Sequence, residues 1–184
     1  MTTTPRALVL FANGFEEIET VAVIDVLRRA GVQVTTASPS GGIVEGSRGI
    51  RIESERRLVE LSCRDFDAIV LPGGSANART LAVDPEAQRL IREARNLDRL
   101  VGAICAAPIA LKSADAIRGA RLTSHPSVES ELAGERYVAE RVVKDGRLLT
   151  SRGPGTAIEF ALALVSELCG PEKAKSVAGP MLVG

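Results

Sequence analysis

The fold is decided by the stretch LVGAICAAPIAL, residues 100–111. The apolar run up to Ile104 predicts a buried strand, and the residues from Ala106 onward predict the start of a helix. Cys105 then falls on a sharp turn of the type that lifts a serine nucleophile out of a sheet. The N–H groups of a helix N-terminus favour a thiolate, so Cys105 is a candidate nucleophile. The alternative is a small buried hydrophobic residue.

The chain before this turn predicts a strand, a helix and a second strand. Residues 7–12 are continuously apolar, as in a strand that is covered on both faces. Residues 15–31 follow an Asn-Gly turn, with acids in the first turn, arginines in the last and a glycine just beyond, which marks both ends of a helix. Residues 32–37 give the next strand. Such a βαβ unit predicts a parallel sheet.

The rest of the chain adds short strands, hairpins and helices. The predicted strands are residues 68–71 and 121–123. The predicted hairpins pair residues 43–45 with 50–53 and residues 141–144 with 147–150. The predicted helices are residues 84–94, 156–168 and 172–177. The first hairpin is expected at a sheet edge. No linker or repeat interrupts this series, so residues 1–184 are predicted to form a single α/β sandwich domain.

Composition excludes several classes of function. With 23 basic and 23 acidic residues, there is no net attraction to nucleic acid or to an anionic membrane. No leader and no membrane-spanning apolar run is evident, which predicts a cytoplasmic protein. Three widely spaced cysteines, Cys63, Cys105 and Cys169, suit a reducing compartment. Their spacing, with a single histidine in the chain, fits no metal site.

Further groups are expected near Cys105, beyond the carboxyl ends of the strands, where ligands bind in open α/β folds. Glu19 lies at the border of the apolar face of the first helix, where it is either exposed or directed at Cys105. Gly73 and Gly74 either form a simple turn or offer N–H groups to a bound oxyanion. His125 follows a strand, and it is either a surface residue or a base.

Other charged residues near the first helix and hairpin receive simpler interpretations. Glu16 and Glu17 are explained as solvated acids that complement the helix dipole. Arg48, on the hairpin turn, is either a solvated charge or a group that binds an anion or a neighbouring subunit. Neither a Walker A motif nor a dinucleotide fingerprint is found.

A thiol, a carboxyl, an imidazole and backbone donors together suit nucleophilic attack on an electrophilic carbonyl. Two neighbouring anions resist coexisting, so Glu19 is expected to keep its proton and donate it to a Cys105 thiolate. The pKa of Cys105 is then expected to lie well below the free-thiol value of about 8.5. Such a thiolate is also a preferred target of peroxide.

Five segments together resemble the ThiJ/PfpI superfamily, in the branch of the human parkinsonism-associated deglycase and bacterial YajL. They are RALVL (6–10), EEIETV (16–21), LPGG (71–74), AICAAP (103–108) and LTSRGPGT (149–156). The resemblance covers nearly the whole chain. It implies a flavodoxin-like fold, similar to class I glutamine amidotransferases, with a mostly parallel sheet and helices on both faces. It also implies a homodimer and a cofactor-free activity on glyoxal and methylglyoxal.

The resemblance also implies roles for single residues. The implied set is Cys105 as nucleophile, Glu19 as its partner carboxylate, His125 as the histidine near the site, and Gly73, Gly74 and Ala106 as oxyanion or substrate-binding groups. Ala106 stands where protease-like members carry a histidine, so peptide hydrolysis lacks its base. Gly46 and Glu53 stand where one family member has two additional cysteines, which puts a redox role for those positions in doubt.

The preferred hypothesis is a glyoxalase or deglycase that acts on free 2-oxoaldehydes or on early glycation adducts of proteins and nucleotides. Cys105 would add to the aldehyde, Glu19 and His125 would relay protons, and water would release a 2-hydroxy acid. The alternative is a redox-sensing chaperone of the oxidative-stress response, in which Cys105 is oxidised to a sulfinic acid. Cys63 and Cys169 are interpreted as structural or incidental.

Overall fold

The computed structural model describes residues 4–183, which contain eleven strands and six α-helices. The strands are β1 (Arg6–Leu10), β2 (Gln33–Ser38), β3 (Gly42–Glu45), β4 (Arg51–Ser54), β5 (Arg56–Arg57), β6 (Ala68–Leu71), β7 (Leu100–Ile104), β8 (Arg121–Leu122), β9 (Arg136–Tyr137), β10 (Val142–Asp145) and β11 (Leu148–Ser151). The helices are α1 (Glu17–Arg29), α2 (Ser75–Val83), α3 (Pro85–Asn96), α4 (Pro108–Ser113), α5 (Ala157–Cys169) and α6 (Pro171–Ala178).

Seven strands form one central sheet in the order β10-β11-β7-β6-β1-β2-β5. Every neighbouring pair is parallel except β10 with β11, which form the hairpin predicted around Asp145-Gly146. Successive residues of a strand point to opposite faces, and each face is covered by its own helices. Leu8 packs in the core under α2, α3 and α4, whereas Val9 packs under α1 and α5. The predicted α/β sandwich with a mostly parallel sheet is confirmed.

The close approach of α5 to the sheet depends on a glycine in β7. A Cβ atom at Gly102 would lie 3.1 Å from Cζ of Phe160 and 3.0 Å from Cδ2 of Leu164. Both of these side chains on α5 are fully buried. Interiors are close-packed, so there is no spare volume for a larger residue at this point of β7.

Several elements differ from the sequence expectation. The hairpin of β3 and β4 forms a separate two-stranded sheet, and β5 occupies the edge of the central sheet instead. The strand β8 pairs with β9 outside the central sheet. The helix α2 was not predicted. Thr156 lies at the start of α5 without capping it, because its hydroxyl donates to the carbonyl of Gly153 at 2.9 Å. Across residues 4–183, none of the helices has the length and apolar character needed to cross a membrane.

Replacing Gly102 by valine is expected to lower the free energy of unfolding by about 1–3 kcal/mol, because the new methyl groups overlap the side chains on α5. Urea unfolding followed by circular dichroism measures the change. Gly155→Val is the matched control, since a Cβ at that exposed position meets nothing within 4 Å. Equal stability of the two variants would contradict this account of the packing.

Candidate active site

Cys105 lies on a strained turn at the end of β7. Its φ of +63° is in the left-handed region, which costs a non-glycine residue roughly 1–2 kcal/mol. Two backbone hydrogen bonds hold the turn: Cys105 N–H donates to the carbonyl of Ser151, and its own carbonyl accepts from His125 N–H, both at 2.9 Å. The thiol is partly exposed. The neighbouring loops therefore hold Cys105 in the left-handed conformation of the sharp turn.

The helix after Cys105 begins later than the sequence suggested. Residues 105–107 form a turn, and α4 is a six-residue helix that starts at Pro108. A helix dipole acting directly on the sulfur is therefore not the right explanation for a reactive thiol. Instead, the backbone N–H groups of Gly74 and Ala106 face the sulfur and favour its anionic form.

Glu19 is fully buried and turned toward Cys105. Its Oε2 accepts a hydrogen bond of 2.7 Å from Gly73 N–H. Among residues 4–183, its other oxygen, Oε1, has no hydrogen-bond partner. A Cβ at Gly73 would lie 2.5 Å from Cβ of Cys105 and 2.6 Å from Glu19 Oε2, so only glycine lets the two groups meet. Of the two interpretations of Glu19, the one directed at Cys105 agrees with the structure.

The N–H of Gly73 has a different partner from the one expected. It donates to the Glu19 carboxyl, so it is not free to bind a substrate oxyanion. Gly74, with φ of +93°, and Ala106 are the two residues whose N–H groups face the thiol. Of the three expected backbone donors, the N–H of Gly73 therefore binds the carboxyl, whereas those of Gly74 and Ala106 face the sulfur.

Burial disfavours ionisation of both Glu19 and Cys105, and the charge on Glu19 makes ionisation of Cys105 harder still. Burial raises the pKa of the Glu19 carboxyl to about 7, against weaker lowering by Gly73 N–H and the Cys105 thiol. Burial, followed by the charge on Glu19, raises the pKa of the Cys105 thiol to about 12. The pair therefore carries one negative charge after its first proton leaves. The low thiol pKa expected from the sequence does not follow from burial, and it requires that Glu19 keep the proton.

Asn77 on α2 ties the loops of the site together. The residue is fully buried, and its Oδ1 accepts from Ala12 N–H at 2.6 Å. Its Nδ2 donates to the carbonyls of Pro72 at 2.7 Å and Gly73 at 2.9 Å. These bonds join the loop after β1 to the loop after β6. Sequence reasoning missed Asn77 because it did not predict α2.

The acids before Glu19 are not simply solvated. Glu16 caps α1 through a 2.8 Å bond from Glu19 N–H to its Oε2. Glu17 is buried, and it accepts from Ser47 Oγ at 3.1 Å and from the backbone N–H of Arg48. Burial acts to raise the pKa of Glu17, but these hydrogen bonds outweigh it and the pKa is lowered. The carboxylate thus fastens the β3–β4 hairpin to α1, while the Arg48 side chain stays exposed.

His125 lies beside Cys105 through its backbone, with its ring exposed. The ring Nδ1 is 2.8 Å from Ser127 Oγ and accepts from Ser127 N–H at 3.2 Å. This contact assigns the ring proton of the neutral form to Nε2. In the described residues, no hydrogen bond joins the ring to Cys105 or Glu19.

The two other cysteines differ from Cys105 in their surroundings. Cys63 is fully buried, its Sγ donates to the carbonyl of Leu90 at 3.1 Å, and burial raises its thiol pKa to about 12. Burial also raises the pKa of Cys169. Residues 4–183 contain no cluster of three or more histidine, cysteine or acidic side chains that could hold a metal ion.

Comparison with known proteins identifies the family of this chain. The model of the DJ-1/PfpI family matches residues 5–167. The chain belongs to this family. Protein dj-1beta of Drosophila melanogaster is 43% identical over 180 residues, which span 96% of each protein. A Caenorhabditis elegans protein named glutathione-independent glyoxalase DJR-1.2 is 39% identical over 168 residues, or 90% of this chain and 89% of that protein.

A solved structure confirms the fold expected of a DJ-1/PfpI protein. The crystal structure of Drosophila melanogaster DJ-1beta superimposes with a TM-score of 0.96 at 41% identity. The superposition covers 99% of this chain and 100% of the DJ-1beta chain. The flavodoxin-like arrangement that the sequence resemblance implied is therefore correct.

In this DJ-1/PfpI protein, the raised pKa of Glu19 makes stability depend on pH. The unfolded chain loses the carboxyl proton near the usual value of 4.5, whereas the folded chain holds it to about 7. Stability is therefore lost as pH rises through this window, by up to roughly 3 kcal/mol. Replacing Glu19 by glutamine removes the loss, so the variant gains stability relative to wild type between pH 5 and pH 8. Urea unfolding at both pH values measures the difference, and an identical pH dependence of the two proteins would show that the carboxyl titrates normally.

Proposed function

We propose that this protein is a cofactor-independent glyoxalase of the DJ-1/PfpI family, acting on methylglyoxal and glyoxal through Cys105. The observation that carries the proposal is the buried Glu19 carboxyl beside a cysteine at positive φ, with Glu19 Oε1 unpartnered among residues 4–183. A protonated Oε1 would donate a hydrogen bond to the sulfur anion, which satisfies the buried oxygen. The similarity to a relative named as a glyoxalase supports the same activity.

The proposed reaction begins with attack of the Cys105 thiolate on the aldehyde carbon of methylglyoxal. The oxyanion accepts from the N–H groups of Gly74 and Ala106 and is protonated to a hemithioacetal. The proton on the former aldehyde carbon then moves to the neighbouring ketone carbon through an enediol, so the first carbon is oxidised and the second reduced. The resulting thioester reacts with water, which releases lactate and restores the thiol. Glu19 moves the proton, and His125 Nε2 is the second candidate.

Cys105→Ser is expected to lower lactate formation from methylglyoxal by at least about a hundredfold, because a serine hydroxyl has no comparable anion at neutral pH. Lactate is measured enzymatically in both stereoisomeric forms. Cys169→Ser should retain wild-type turnover, and circular dichroism should show the native fold in each variant. Undiminished turnover by Cys105→Ser would reject the proposed nucleophile.

The direction in which Glu19→Gln changes the pKa of Cys105 shows which of the two groups holds the proton. If Glu19 holds the proton, glutamine replaces a strong donor by a weaker one, so Glu19→Gln raises the pKa of Cys105. If Glu19 is instead ionised, the substitution removes a neighbouring negative charge and lowers the thiol pKa. We expect the pKa to rise, as measured by thiolate absorbance against pH. Glu53→Gln is the control for loss of an exposed charge.

A second candidate function is a redox-sensing chaperone. Cys105 and Cys169 are partly exposed while Cys63 is fully buried, so peroxide would reach Cys105 in preference to Cys63. The two N–H groups that face the sulfur would also bind sulfinate oxygens. Negligible aldehyde turnover together with oxidation-dependent protection of a client protein would favour this function. Activity on glycated proteins or nucleotides is a further proposal, separable by offering preformed adducts in place of free aldehyde.

We further propose that the protein works as a cytoplasmic homodimer. Ile18 and Val21, one turn apart on α1, are 58% and 48% exposed. The adjacent β3–β4 hairpin exposes Ile43 at 71% and Ile50 at 54%. Several large apolar side chains exposed on neighbouring elements are typical of an interface. Sedimentation equilibrium should give twice the chain mass, and a monomer at micromolar concentration would exclude the dimer.

A further inference from the structure

A cleft beside the Cys105 turn is lined by polar and basic groups. Its volume is about 330 Å³, and its walls include His125, Arg141, Arg152 and Gly153. None of the described residues that line it carries a carboxyl group. A cleft with cationic and neutral walls attracts anions and repels cations.

The cleft is joined to the Cys105 backbone on both sides. His125, on one wall, donates its N–H to the Cys105 carbonyl, and Ser151, which precedes Arg152, accepts from Cys105 N–H. The two walls face each other closely, since a Cβ at Gly153 would lie 3.6 Å from Cδ2 of the His125 ring. The cleft therefore lies next to the turn that carries Cys105.

The two arginines of the cleft differ in their pairing. The Arg141 guanidinium is bound to Glu159 Oε2 at 2.7 Å and to the carbonyl of Gly155 at 3.0 Å. In the part of the chain from residue 4 to residue 183, the guanidinium of Arg152 takes part in no hydrogen bond or salt bridge, although the residue is half-buried. A guanidinium whose donors are unused is suited to bidentate binding of a carboxylate or phosphate.

We propose that Arg152 forms an anion subsite that binds a carboxylate or phosphate group carried by the carbonyl substrate of Cys105. This inference rests on the proposed function, which it deepens by naming the substrate class: 2-oxoaldehydes and related carbonyl compounds that bear an anionic group. Because Glu159 balances the charge of Arg141, Arg152 supplies the net positive charge of the cleft and makes the direct contact. A neutral aldehyde such as methylglyoxal leaves the subsite unused.

Alkylation of Cys105 tests the subsite without relying on turnover. Iodoacetate carries a carboxylate and iodoacetamide is its neutral analogue, so the ratio of their rate constants reports the attraction of an anion to the site. We expect Arg152→Gln to lower this ratio roughly fivefold, the effect of one charge-assisted hydrogen bond at a partly exposed site. Its rate with iodoacetamide should be unchanged. Mass spectrometry of the Cys105 peptide measures both rates, at one fixed low ionic strength.

Arg118→Gln is the matched control, because it removes the same charge from an exposed arginine paired with Asp115. Its ratio should equal that of wild type. An unchanged ratio in Arg152→Gln, or an equal fall with both reagents, would overturn the subsite. Inorganic phosphate and acetate, added separately, identify the anion: protection of Cys105 by either one supports the subsite, and protection by neither contradicts it. A wild-type protein that keeps the ratio but forms no lactate would reject the proposed function alone.

Discussion

The site depends on one buried hydrogen bond, from Gly73 N–H to Glu19 Oε2. A carboxyl group inside a protein is tolerated only when it is paired or holds its proton, and this bond satisfies just one of its two oxygens. The buried carboxyl also constrains the residues around it. Gly73 must be glycine because Cys105 and Glu19 occupy the space of its Cβ.

Holding that geometry requires two loops that are far apart in sequence. Asn77 joins the loop after β1 to the loop after β6, and Glu16 N–H donates to the carbonyl of Gly73 at 3.0 Å. Gly74 passes so close to Gly14 that a Cβ would lie 2.1 Å from the Gly14 carbonyl oxygen. These contacts are made by backbone atoms and short side chains. The first turn of α1 is therefore fixed directly against the Gly73-Gly74 loop, which explains how a fully buried acid keeps a single orientation.

The sequence could predict the parts of this arrangement that local patterns determine. Apolar runs predicted the central strands, and small residues around Cys105 predicted its sharp turn. The helix α2 escaped prediction because Gly74 starts it without a side-chain cap and its apolar pattern is weak. Glu17 looked solvated because its partners, Ser47 and Arg48, lie about thirty residues away. Contacts between distant loops have no local signature, so the partner of Gly73 N–H could not be read from the glycine pair.

The distribution of backbone donors bears on where the single negative charge of the pair resides. Burial raises the pKa of the Glu19 carboxyl to about 7 and that of the Cys105 thiol to about 12, so burial alone places the charge on the carboxylate. Hydrogen bonds act in the opposite direction: one N–H donates to the carboxyl, whereas those of Gly74 and Ala106 lower the pKa of the thiol. In the proposed mechanism, a proton on Glu19 Oε1 would add a third donor at the sulfur and give that oxygen a partner. A negative charge on the carboxylate would leave Glu19 Oε1 without a hydrogen-bond donor. The proposed reaction depends on this third donor, because nucleophilic attack on an aldehyde needs the thiolate with a protonated Glu19.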